Sequence, residues 1–182
     1  MDLATKRILL APFVACAVLA GAAQAMAQEW REYAYPDFGF GVQFPGKPTV
    51  ESGTHMAPGG ISVPATVYAF RQPNMILTMT IADLTNTEAD GRGVIDRSVR
   101  ELRSTGEIKV DVTSEINGQY GRQLSISEHE GSRSIFGIFY INHRLYELKG
   151  KLLPPNPERR SGDAIRFQQS LRFERAGAGR RN

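Results

Sequence analysis

Residues 135–141 read Ile-Phe-Gly-Ile-Phe-Tyr-Ile and carry no charge. Successive side chains of a β-strand point to opposite faces. A strand that is apolar at every position therefore has no face to give to water. Such a segment belongs inside a sheet that is covered on both sides. The rest of the chain has to supply strands to flank it and a layer above and below.

The flanking strands are legible from alternation. Phe38, Phe40, Val42 and Phe44 alternate with Gly39, Gly41 and Gln43, placing the four aromatic and aliphatic side chains on one strand face. Pro45-Gly46-Lys47-Pro48 breaks that strand, residues 49–51 continue as an edge, and residues 56–60 read as a loop. Residues 63–70 and 75–82 predict an antiparallel pair around Gln72-Pro73-Asn74, with Met75, Leu77, Met79 and Ile81 sharing a face. Ile108, Val110 and Val112 alternate with charged neighbours, as in a half-exposed strand. Residues 120–127, 135–141 and 144–152 complete a meander, the last with Tyr146, Leu148 and Leu152 inward. Its hairpin turns fall at Glu130-Gly131 and Asn142-His143.

Two helices supply the layers. The first is expected to start at Thr87 as N-cap, with Asp90 as the short partner of a capping box. Its apolar stripe is Ile95, Val99 and Leu102, and Gly106 is expected as its left-handed stop. The second follows Pro154 and Pro155, capped by Asn156 with Pro157 at its first position. Ala164, Ile165, Gln168 and Leu171 are expected to face the core, with the helix running into Arg172 and Phe173. The expectation is an α+β single domain, a mainly antiparallel sheet of about 6–8 strands with two helices packed on it.

The ends of the chain read differently from its body. Lys6 and Arg7 precede an uncharged run over residues 8–20, and small residues follow as Ala23-Gln24-Ala25 and Ala25-Met26-Ala27. This is the pattern of a cleavable export signal over residues 1–27, cut after Ala27 or alternatively after Ala25. The run is shorter than the roughly 20 residues that a spanning helix needs. The expected address is periplasmic or secreted, with no stable membrane insertion after cleavage. Cys16, the only cysteine, lies inside the run rather than at its end, which disfavours lipidation. Cleavage would remove it, leaving a globular body over residues 28–173 without disulfides. Residues 174–182, rich in Gly, Ala and Arg, are expected to be a disordered tail.

The net charge of +3 arises entirely at these ends, because acidic and basic residues balance over residues 28–173. A balanced body argues against a nucleic-acid face, which needs concentrated positive charge.

Several segments together resemble the PsbP/Mog1-like group of α/β/α sandwich domains, which includes exported bacterial members. They are Tyr35-Pro36-Asp37-Phe38-Gly39-Phe40 followed by Val42-Gln43-Phe44-Pro45, the hairpin Ile141-Asn142-His143-Arg144-Leu145-Tyr146, and Phe167-Gln168-Gln169-Ser170-Leu171. The resemblance spans most of residues 35–173. It implies the sandwich fold and a tendency to accessory or binding roles. It implies no enzyme activity and transfers no set of functional residues.

Each candidate for chemistry has a simpler structural explanation. His55, His129 and His143 lack zinc-like spacing, and in a strand Glu128 and Glu130 would point away from His129. Asp37-Phe38-Gly39 lacks the other kinase motifs and reads as a turn. Gly39-Phe40-Gly41 lacks the rest of a dinucleotide loop, and its bare strand face suits the close approach of a helix, a neighbouring chain or a ligand, of which the helix is favoured. Ser125, Ser127 and His129 are near in sequence without being a triad. Arg92, Arg97, Arg100 and Arg103, with Asp96 and Glu101 among them, form a solvated, ion-paired helix face. The sequence therefore assigns no catalytic, cofactor-binding or metal residue. It points to an exported accessory or binding domain with an unidentified protein or small-molecule partner. The alternative is a periplasmic hydrolase using scattered Asp, Glu or His residues.

Overall fold

The computed structural model describes residues 29–57, 60–155 and 157–173. The expected export signal, the expected tail over residues 174–182 and the expected cap Asn156 lie outside these residues. The strands are β1 (Arg31–Tyr35), β2 (Phe40–Phe44), β3 (Thr49–Ala57), β4 (Ile61–Gln72), β5 (Met75–Asp83), β6 (Gly106–Ile116), β7 (Gln119–Glu128), β8 (Arg133–Ile141), β9 (Arg144–Leu152) and β10 (Arg172–Phe173). The helices are α1 (Gly91–Arg103) and α2 (Ser161–Gln169). A seven-stranded sheet runs in the order β3-β4-β5-β9-β8-β7-β6, and a small one in the order β1-β2-β10. Every pairing is antiparallel.

Strand β8 is buried on both faces, as its composition requires. Ile135 and Phe139 enter one core with Leu77, Met79, Tyr146 and Leu148 of the neighbouring strands. Phe136 and Ile138 enter a second core with Leu124, Leu145 and the α1 residues Val94, Ile95 and Val99. The first core is closed by α2, through Ala164 and Phe167, and by Phe40, Val42 and Phe44 of the small sheet. One face of the large sheet thus carries α2 and the small sheet, and the other carries α1.

The three segments that carry the family resemblance meet on the α2 side. The Tyr146 hydroxyl donates to the Phe38 carbonyl at 3.3 Å. Phe44 and Phe167 pack with ring centroids 4.9 Å apart. Ser170 Oγ accepts from the Gln43 amide at 2.9 Å and donates to the Phe167 carbonyl at 2.7 Å. Their conjunction is a packing requirement, since each segment buries the aromatic surface of another.

Turn chemistry follows the sequence closely. Asn142 and His143 both have positive φ, 51° and 58°, in the two-residue β8–β9 hairpin. Asn117 and Gly118 make a similar turn, with φ of 53° and 78°, between β6 and β7.

Several boundaries depart from expectation, each for a local reason. Phe38 belongs to a 3-10 turn, so β2 starts at Phe40. Met56 and Ala57 extend β3, because they pair with Ser62 and Ile61. Thr87 does not cap α1, since its hydroxyl is occupied by the Leu84 carbonyl at 2.8 Å. Asp90 is the N-cap and accepts from the Gly93 amide at 2.8 Å. Gly106 is not a helix stop. It opens β6, where a Cβ would lie 2.2 Å from the Ser127 carbonyl oxygen. In β6 a register shift between Ile108 and Val110 inverts the faces beyond it. Val110 and Val112 are consequently exposed. Ile165 is exposed too, because α2 begins at Ser161 and its phase buries Ala164, Phe167 and Gln168. The chain leaves the helix before Arg172 and Phe173, which pair with Gly41 and Phe40. Gly41 faces no helix; a Cβ there would meet the Glu32 carboxylate of the adjacent strand at 2.9 Å.

Gly150 sets how closely α2 sits on β9. A Cβ there would lie 2.6 Å from Ala164 Cβ and 3.0 Å from its Cα. Gly150→Val is expected to destabilise the protein by about 1–3 kcal/mol through overpacking. Chemical denaturation checks this, and Ala164→Gly should restore part of the loss in the double variant.

Candidate ligand-binding cleft

Helix α1 packs on β6, β7 and β8. The other half of that sheet face, formed by β3, β4, β5 and β9, is not covered in the same way. Small or short side chains there, Ala82, Thr80 and Val67, leave space under the flank of α1 that carries Ser98, Glu101 and Leu102. The result is a cleft of about 380 Å³. Its remaining walls are Thr54 and His55 from the edge strand and Leu145 and Glu147 from β9.

The strand registers explain who meets whom. Thr80 is the direct neighbour of both Val67 and Glu147, and Ala82 of Leu145. Glu101 reaches in from the helix and is held by Arg97 at 2.8 Å. Burial pushes the His55 imidazole below its usual range, while Glu101 and Arg97 act on it in opposite directions through space. Burial pushes the Glu147 carboxyl above its usual range; the Lys149 charge opposes this and Glu101 adds to it. His55 and the two carboxylates thus share one cleft.

A second polar cluster lies further along the same sheet face. Glu128 accepts from Ser132 Oγ at 2.9 Å, Ser134 Oγ at 2.5 Å and Lys151 Nζ at 2.6 Å. Burial alone would raise its pKa, but the bonds from Lys151, Ser134 and Ser132 outweigh it and hold the carboxyl at about 2. Glu130 also binds Lys151. The strand ends at Glu128 and residues 129 and 130 form a turn, so the strand reading of Glu128-His129-Glu130 does not apply; the turn brings both glutamates to Lys151. The cluster pins the β7–β8 turn to β9 and is saturated by its own partners.

The other sequence candidates are dispersed. His129 and His143 sit in two different turns. Ser125 Oγ accepts from Arg133 Nε at 2.9 Å. Asp37, Phe38 and Gly39 form the turn into β2, with Gly39 at φ 66°. Among the described residues no three His, Cys, Asp or Glu side chains converge on a metal position. On α1, Arg97 pairs with Glu101, Arg103 with Asp111, and Arg92 lies over the Tyr120 ring at 4.6 Å. Asp96 finds Arg122 of β7 rather than an arginine of its own helix. The cleft itself was not foreseen. Glu147 and Thr80 are unremarkable letters in two strands, and only the β5–β9 register brings them together.

The chain matches the solution structure of cyanobacterial PsbP (CyanoP) from Synechocystis with a TM-score of 0.53 and 11% identity, covering 85% of this chain and 98% of that one. The fold is PsbP-like. A crystal structure of a Pseudomonas aeruginosa protein aligns with a TM-score of 0.41 and 10% identity, over 74% of this chain and 90% of the other. No protein-family model and no curated protein sequence matches the chain. Among the described residues no helix is long and apolar enough to cross a membrane.

The Glu128 pin supports the PsbP-like sheet near neutral pH and weakens in acid. Its carboxyl is held below its ordinary value of 4.5, at about 2, so its stabilisation is present above pH 4.5 and lost as pH falls towards 2. Glu128→Gln is expected to cost about 2 kcal/mol at pH 7 and little at pH 2. Urea denaturation across that range checks both values.

Proposed function

We propose that this chain is an exported, non-catalytic accessory domain of the bacterial cell envelope that binds a partner or small ligand through the cleft beside α1. The observation that carries the reading is the cleft, a partly apolar recess with a few convergent polar groups. The PsbP-like fold supports it, given the accessory and binding roles that the resemblance implies. Export rests on the Lys6-Arg7 start, the uncharged run after it and the small residues ending at Ala27.

A hydrolase is the competing reading, favoured by one observation: His55, Glu101 and Glu147 line the same cleft. The two readings differ in what happens to a bound molecule. The protein, recovered from the periplasm under native conditions, is expected to start at Gln28 or Met26 without lipid. It should carry a ligand or partner whose mass is unchanged after incubation. Conversion of the bound molecule would favour the hydrolase. Repeated recovery of the protein alone, or a chain retaining Met1 or a lipidated Cys16, would contradict the proposal.

A further inference from the structure

Glu147 occupies an awkward place for a carboxylate. It stands on β9, the middle strand of the seven, between Thr80 on one side and Ile138 on the other. A charge taken from water needs a partner or hydrogen bonds to offset the loss. The nearest lysine on its own strand face does not serve. Lys149 lies 3.5 Å from Glu128 and 5.3 Å from the centre of the Phe136 ring, drawn towards the Glu128 cluster. The other carboxylate of the cleft, Glu101, is already paired with Arg97. Glu147 is half-buried and lines the cleft; Lys149 and Glu101 act on it through space, and among the described residues no ion pair holds it.

The cleft therefore has an unpaired acceptor at its floor. Around it are aliphatic surfaces from Val67, Leu102 and Leu145 and the hydroxyl of Thr80. A divalent metal would need further ligands, and no three candidate ligands converge among the described residues. An anion would face the Glu147 and Glu101 carboxylates. A cation with hydrogen-bond donors and a short apolar body matches both the charge and the walls. The volume of about 380 Å³ lies in the range of small-molecule sites.

We propose that the cleft binds a small organic ammonium ion, with the Glu147 carboxylate as its charge partner and the Thr80 hydroxyl as a second hydrogen-bond acceptor. This rests on the cleft being the binding site.

Three probes of equal length separate the possibilities: n-butylammonium, butanoate and 1-butanol, titrated into the purified protein and followed by backbone amide NMR. Butylammonium is expected to shift the amides around Thr80, Glu101 and Glu147 saturably, and butanol to bind about tenfold more weakly or worse. Glu147→Gln should weaken butylammonium by at least about tenfold, as expected for loss of a charge-assisted bond. Equal or tighter binding of butanol or butanoate at the same amides would overturn the ammonium assignment while leaving a ligand-binding cleft in place. Absence of any saturable shift at the cleft with butylammonium would overturn the assignment as well. The comparison of probes needs no variant, so it stands even where Glu147→Gln fails to fold.

Discussion

Strand β8 has to be buried twice. Its side chains alternate between two cores, Ile135 and Phe139 to one and Phe136 and Ile138 to the other. Each large apolar side chain so buried contributes about 1.5–3 kcal/mol relative to exposure. Neither core can be lost without stranding the alternate residues of this strand in water. The two helices, placed far apart in the sequence, are the consequence. Helix α2 arrives after the sheet is complete and closes one face together with the small sheet, while α1 leaves β5 and closes the other over β6 to β8.

The two covers are unequal, and that asymmetry places the cleft. On the α2 side, the small sheet takes up the surface that the helix does not reach, with Phe40, Val42 and Phe44 fully buried. Among the described residues no second sheet covers the α1 side, and the strands beneath carry small, hydroxyl or charged residues at the inward positions. Thr78, Thr80, Glu147 and Lys149 stand where the opposite face has Leu77, Met79, Ile81, Tyr146 and Leu148. The polar residues on this half-face divide into two groups. Glu128, Glu130 and Lys151 satisfy one another. Glu147 is left over.

The sequence revealed features that follow from period and turn chemistry. The double burial of β8, the Met75-to-Ile81 face and the Asn142-His143 hairpin all depend on local pattern alone. What escaped depended on single insertions or on distant partners. The bulge in β6 is one extra residue, yet it turns Val110 and Val112 outward and brings Asp111 to Arg103 and Arg122. Thr87 and Asp90 are both competent caps, and a hydrogen bond to Leu84 decides between them. Gly106 reads as a helix stop until the Ser127 carbonyl is seen against it. The cleft was least legible, because its walls come from β3, β4, β5, α1 and β9, and no short stretch contains even two of its charged groups.

In the proposed role Glu147 serves the cleft rather than the fold. Burial raises its pKa above the ordinary 4.5, so its contribution to stability is most favourable below pH 4.5 and is lost as pH rises through the folded value. Glu147→Leu tests this directly through urea denaturation at pH 7 and at pH 3. A gain of about 1 kcal/mol or more is expected at pH 7, in the direction seen when buried ionic groups are replaced by apolar ones, and a smaller gain at pH 3. A loss of stability at pH 7 would show instead that the carboxylate is a structural element of the fold.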